Sequence, residues 1–251
     1  MPLEQPTVGI LIPARFGSSR FPGKPLALLA GKPLIHHVYE AATKVADVAD
    51  VRIVTDDDRI IQAVKAFGGQ VMLINSPCRT GTDRVAKAAT QMKCSVIVNL
   101  QADEIPLHPS LLSDLIDPFL RSDVSVGTLK RRLETPAEVN DTGLVKVVTD
   151  SSGNALYFSR SPIPHVRDSQ SDDDHPNFYY GHLGIYIFRY EALKQFSALP
   201  TGVLEDAEKL EQLRALEHGI SIRVWETTYP SLRIDRPEEL EAASSQFMQY
   251  H

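Results

Sequence analysis

VGILIPARFGSSRFPGKPL, residues 8–26, changes character at its sixth residue. Val8 to Ile12 form an apolar, β-branched run of strand type, and Pro13 stops it. The chain then becomes a loop holding Gly17, Ser18, Ser19 and Gly23, with Arg15, Arg20 and Lys24 interleaved. Glycines let the backbone approach a bound group, and successive free N–H groups form anion-binding concavities. The three cations add charge-assisted hydrogen bonds, and the arginine fork suits phosphate oxygens. A strand feeding such a loop is where open α/β sheets bind nucleotides. The plain alternative is a basic, solvated turn. A Walker loop is excluded, because five residues separate Gly17 from Gly23 where that motif has four, and Pro25 follows Lys24. No GxGxxG follows a strand either, so this loop would cradle phosphate in another way.

Outward from this stretch, strand and helix signals alternate. Pro33 starts a helix over 34–45, and an apolar strand over 51–55 follows. Ile60, Val64 and Phe67 recur at helical spacing before Gly68-Gly69, and 70–74 read as a strand. This alternation predicts an α/β fold with a mainly parallel central sheet and helices on both faces. Further on come a helix over 85–92, strands over 96–100 and 124–133, and a hairpin of 144–149 with 154–159 around Asp150-Ser151-Ser152-Gly153. Residues 204–218 read as one helix ended by Gly219, 220–225 as a strand, and Asp235 as the N-cap of a last helix.

Composition narrows the function classes. A chain of 251 residues with 43% hydrophobic content suits one large α/β domain. Lys and Arg number 26 against 32 Asp and Glu, a net charge of −6, which argues against nucleic acid or an anionic membrane as partner. No apolar stretch approaches the ~20 residues needed to span a bilayer. The N-terminus lacks a basic n-region, and the only cysteines, Cys78 and Cys94, lack metal-ligand spacing. The expectation is a soluble cytoplasmic protein.

Several polar groups fall where strands end. Asp56, Asp57 and Asp58 follow the strand over 51–55, and capping of the next helix explains Asp57 or Asp58. Thr80-Gly81-Thr82 precedes a helix and could cap it, yet its hydroxyls also suit a pyrimidine edge. The most apolar strand delivers Gln101-Ala102-Asp103-Glu104. A carboxylate there must be paired, protonated or on a metal, and magnesium favours one or two carboxylates plus substrate phosphates. His182, Gly184 and Tyr186 share one face of a strand, a polar ledge or simply core. His36 and His37 lack a third ligand and read as packing residues; Lys130-Arg131-Arg132 reads as a solvated face.

The pattern IPARxxSxRxPGKPL, met at residues 12–26, resembles the triphosphate loop of CTP-dependent sugar nucleotidylyltransferases. The similarity extends over nearly the whole chain and is closest to the members that act on 3-deoxy-manno-octulosonate (Kdo). It implies a three-layer fold like that of nucleotide-diphospho-sugar transferases, in a single domain over 1–251. A smaller β-rich extension at about 130–185 would lie over the sugar and contribute to a homodimer. Ala14, Arg15, Gly17, Ser18, Ser19, Arg20, Lys24, Thr55, Asp56, Thr80, Gly81 and Thr82 would then contact CTP, with Thr80 in place of the family's serine. The QGD motif corresponds to Gln101-Ala102-Asp103 and the VDTPEDL motif to the segment from Ile234, so Asp103 and Asp235 would hold Mg2+. Gln101, Arg160, His182, Tyr186, Glu211 and Gln212 would orient the sugar acid, with Lys146 a further cation nearby. The implied reaction joins CMP from CTP to Kdo, releases pyrophosphate and serves lipopolysaccharide synthesis. Arg15, Lys24, Asp103 and Asp235 would carry it without an essential general base. Ala102, Gly181 and Arg236 depart from the family pattern, which leaves 8-amino-Kdo or a sialic-type acid open as substrate. A non-catalytic nucleotide-binding protein or a glycosyltransferase is the other alternative.

Overall fold

The computed structural model describes residues 6–17, 21–167, 178–234, 236–248 and 250. Its main sheet contains β1 Val8–Pro13, β2 Val48–Thr55, β3 Val71–Leu73, β4 Val96–Leu100, β5 Val126–Arg132, β6 Lys146–Thr149, β7 Ala155–Ser159, β8 Tyr180–Arg189 and β9 Arg223–Glu226. β4, β1, β2 and β3 lie side by side and are parallel. β8 closes against β4 antiparallel and carries β5 on its other edge, and β9 pairs β5 in parallel. The hairpin β6–β7 continues the sheet beside the start of β8, through Gly181 opposite Lys146.

The helices are α1 Leu34–Thr43, α2 Asp58–Ala66, α3 Gly81–Ala89, α4 Ser110–Leu120, α5 Pro136–Asn140, α6 Tyr190–Ala198, α7 Val203–Glu208, α8 Leu213–Glu217 and α9 Glu239–Phe247. Strand alternation sorts them into two layers. Val8, Ile10 and Ile12 of β1 join Val96, Val98 and Leu100 of β4 in a core roofed by α1, α2, α4 and α9. Leu11 and Ile97, one residue out of phase, pack on the other face against α3, α6 and α8. This is the three-layer α/β arrangement read from the sequence. Among the described residues no helix is long and apolar enough to cross a membrane.

The structure corrects three local expectations. Residues 204–218 are not one helix: Lys209 turns left-handed (φ 54°) and divides α7 from α8. The divide lets Arg214 fork onto Glu205, Nε to Oε2 at 2.7 Å and Nη2 to Oε1 at 2.5 Å. In an unbroken helix nine residues would advance about 13 Å, too far for that pair. The last helix starts at Glu239 with Glu238 as its N-cap; Asp235 lies outside the described residues. The helix expected over 85–92 begins earlier, at Gly81, because Thr80 caps it by accepting from the Asp83 N–H at 3.2 Å. Asp57 caps α2 in the same way.

A short antiparallel pair, Glu104–Pro106 with Ser231–Arg233, ties the chain after β4 to the C-terminal segment. It sets Arg233 opposite Glu104, next in sequence to Asp103.

Candidate active site

The carboxyl ends of β1, β2 and β4 and the N-terminus of α3 open onto one cleft of about 1120 Å³. β1 delivers Ala14, Arg15, Phe16 and Gly17 to its wall. The loop is closed by the Gly23 N–H donating to the Phe16 carbonyl at 2.8 Å. Gly23 must be glycine: its φ is +73°, and an added Cβ would sit 3.0 Å from the Phe16 ring. Gly17 differs, since among the described residues a Cβ there would meet nothing within 4 Å. Packing does not demand glycine at 17, whereas close approach of a ligand to the backbone would. Arg15 is exposed and makes no hydrogen bond or ion pair among the described residues. Ser18, Ser19 and Arg20 lie outside the described residues.

Lys24 enters the cleft from the turn Lys24–Leu26, and its buried ammonium donates to Asp103 Oδ2 at 2.7 Å. The loop cation and the carboxylate at the end of β4 therefore face each other across the site, 79 residues apart in sequence. Ala102, between Gln101 and Asp103, is buried and has no positive φ. Alanine there carries no left-handed strain, so the missing glycine costs nothing in backbone conformation.

The opposite wall is the start of α3. Gly81 lets the turn pack closely, since a Cβ would lie 3.3 Å from Pro13 and 3.4 Å from Gln101 Oε1. Arg79 lines the cleft but is held by Asp83 (Nε to Oδ2, 2.8 Å) and by the Ser197 carbonyl (2.8 Å). Asp56 is at the rim, accepting from Arg84 Nη2 at 2.5 Å. Thr55 is buried behind it, its hydroxyl accepting from the Asp57 N–H at 3.2 Å. Thr82 likewise lies behind the wall, with its hydroxyl donating to Glu211 Oε1. Glu211 lines the cleft from the break between α7 and α8, and burial raises its carboxyl above the usual range.

His182 and Tyr186 do not line the cleft; they are buried on β8 with ring centroids 5.3 Å apart. Thr128 Oγ1 lies 2.7 Å from the Ile185 carbonyl, to which it donates, and 2.9 Å from His182 Nε2. With that proton on the carbonyl, Oγ1 can accept from a protonated Nε2, and burial lowers the imidazole pKa to about 3. The Tyr186 hydroxyl is buried with no hydrogen-bond partner among the described residues. Gln101 lines the cleft, whereas Arg160, Gln212 and Lys146 do not. Arg160 joins the hairpin to α7 through the Glu208 carbonyl (2.9 Å) and to the Thr142 carbonyl (3.0 Å). Gln212 is buried at the start of α8, and Lys146 donates to the carbonyls of Asp141 and Leu144 at 2.8 and 2.7 Å. At Gly181 an added Cβ would come within 2.7 Å of Leu133, so the missing arginine is accompanied by tight packing.

Sequence reasoning missed Arg59, which lies 3.3 Å over the Phe16 ring, and Lys209, both on the cleft wall. It also missed Asn99, wholly buried in β4, although a lone amide inside an apolar strand is a visible signal.

A basic glycine loop facing a carboxylate at the carboxyl edge of a parallel sheet is the place where α/β folds bind nucleotides. Comparison with known proteins sharpens this. The cytidylyltransferase family model matches residues 9–222, and the chain belongs to that family. The 3-deoxy-manno-octulosonate cytidylyltransferase of Geobacter sulfurreducens is 47% identical over 92% of this chain and 95% of its own length. Its counterpart from Solibacter usitatus is 46% identical over 94% and 93%. A solved CMP:2-keto-3-deoxy-manno-octonic acid synthetase complexed with CTP superposes with a TM-score of 0.88 at 40% identity, covering 98% of this chain and 100% of that one.

Proposed function

We propose that the protein transfers CMP from CTP to the anomeric hydroxyl of Kdo, giving CMP-Kdo and pyrophosphate for lipopolysaccharide synthesis. The observation that carries this reading is likeness over 98% of the chain to a synthetase complexed with CTP, in a protein whose own cleft brings Arg15, Lys24 and Asp103 together. The hydroxyl oxygen attacks the α-phosphorus in line; the bond to the pyrophosphate oxygen breaks, and the hydroxyl proton passes to solvent water. Positioning and charge neutralisation supply the acceleration. Arg15 and Lys24, with Arg20, hold the triphosphate and the departing pyrophosphate. Thr80 and Gly81 meet the cytosine, while Gln101 and Glu211 orient the sugar acid.

Asp103 suits a hard cation, because Oδ2 already faces an ammonium at 2.7 Å and lines the cleft. Among the described residues no three acidic or thiol/imidazole groups cluster as a complete metal site, so substrate phosphates would supply the remaining ligands. Asp103 and Asp235 would hold Mg2+, which when bound neutralises charge on the α-phosphate and lowers the pKa of the sugar hydroxyl. The proposal includes a homodimer in the cytoplasm. Its test is pyrophosphate release from CTP, UTP and ATP with Kdo, 8-amino-Kdo and sialic acids. CTP with Kdo should give the highest kcat/KM; release without a sugar acid, or preference for another acid, would overturn the reading.

A further inference from the structure

Asn99 is the next-to-last residue of β4, fully buried, next to Leu11 of β1 and opposite Tyr186 of β8. Its amide makes two side-chain bonds in opposite directions. Nδ2 donates to Thr82 Oγ1 at 2.9 Å, and Oδ1 accepts from Gln101 Nε2 at 3.2 Å. Thr82 passes its own proton to Glu211. Four side chains from β4, the residue after it, α3 and the α7–α8 break thus form one chain whose two ends, Gln101 and Glu211, both line the cleft.

The direction of these bonds matters. With Nε2 committed to Asn99, Gln101 presents its Oε1 and one remaining N–H to a ligand. With Asn99 donating to it, Thr82 has its proton free for Glu211, which keeps that carboxylate beside the cleft against the cost of burial. The chain also passes through α3 two residues beyond Thr80, on the side assigned above to cytosine. From this arrangement we infer that Asn99 is a positioning residue: it fixes the Gln101 amide and, through Thr82, the Glu211 carboxylate, and so sets how the sugar acid is held beside the nucleotide. The inference rests on the assignment of Gln101 and Glu211 to the sugar side of the cleft.

The test uses the full-length enzyme with Mg2+. Asn99→Leu, close in volume, removes both bonds. Asn99→Asp keeps an acceptor for Gln101 but draws the Thr82 proton away from Glu211. For each, CTP affinity is measured by calorimetry without sugar, and kcat and the KM for Kdo by pyrophosphate release. Leaving one buried partner unpaired should weaken the sugar KM by about tenfold, with CTP affinity unchanged within about twofold. Gln101→Leu, and the double substitution with Asn99→Leu, complete a cycle in which the two losses should not add. Thr82→Val, which leaves Asn99 intact, gives a folded check if the Asn99 variants do not fold, and should raise the same sugar KM. An unchanged sugar KM in every folded variant, equal loss of CTP and sugar binding, or full additivity in the cycle would overturn the inference alone. Failure of the unsubstituted enzyme to use any sugar acid would overturn the functional reading and this inference with it.

Discussion

Lys24 and Asp103 hold each other at 2.7 Å in a cleft that the account fills with triphosphate and magnesium. Each charge is therefore balanced before any ligand arrives, and each has a second partner waiting in the reaction. Asp103→Asn removes the anion while keeping the shape, so kcat should fall by about 100-fold or more, as when one charge-stabilising group is lost from an active site. The melting temperature should stay within a few degrees, since the pair is partly solvated; a variant with ordinary kcat would contradict the role. His182 gives a second residue-level prediction. Its imidazole is held neutral by burial first and by Arg233 second, with a pKa of about 3 against an ordinary 6.5. Below pH 6.5 the unfolded chain takes up a proton that the native state refuses, so stability falls as pH falls toward 3. Between pH 7 and pH 5 this amounts to about 2 kcal/mol. Glu211, raised by burial, works the other way above its ordinary 4.5, favouring the native state at lower pH. Chemical denaturation of His182→Asn at both pH values should show the pH 7 to pH 5 loss reduced by that amount; an unchanged loss would mean the imidazole is not buried neutral.

At the scale of elements, the break between α7 and α8 is the feature that brings Glu211 to the cleft. It hinges on Lys209, a lysine in the left-handed region, where a side chain costs about 1 kcal/mol and glycine costs nothing sterically. Lys209→Gly should raise the unfolding free energy by about 0.5–1 kcal/mol in urea denaturation, and the exposed pair it gives up with Asp206 is worth little. A clear loss of stability would mean the break is not where the structure puts it. This break was not legible in the sequence, because Leu204, Leu210, Leu213 and Leu216 keep a helical apolar rhythm and lysine does not announce a C-cap. The decisive partners, Glu205 and Arg214, meet only once the chain has turned. By contrast the hairpin β6–β7 was legible, since Asp150 accepts from the N–H groups of Ser152 and Asn154 at 2.8 Å each, as an Asp-led turn should.

For the molecule as a whole, the alternating apolar runs specified the sheet and both helix layers, because strand burial on two faces leaves a direct mark on composition. The cleft was legible wherever its residues follow a strand closely: Arg15 after β1, Asp56 after β2, Gln101 and Asp103 after β4. What the sequence hid is the wiring behind the cleft. The Thr82 hydroxyl, expected at the base, goes to Glu211, and Asn99 joins Thr82 to Gln101 through bonds that span distant parts of the chain. Arg160, expected at the sugar, braces the hairpin against α7. Such links depend on tertiary packing and leave no local spacing to read. The central claim is the formation of one phosphodiester between cytidylate and the sugar acid. Phosphorus NMR of the enzyme with CTP, Kdo and Mg2+ tests it most directly: one CMP-Kdo phosphodiester resonance should grow for each pyrophosphate released, and neither should grow without Kdo. Pyrophosphate accompanied by free CMP, or CTP left intact under those conditions, would contradict it.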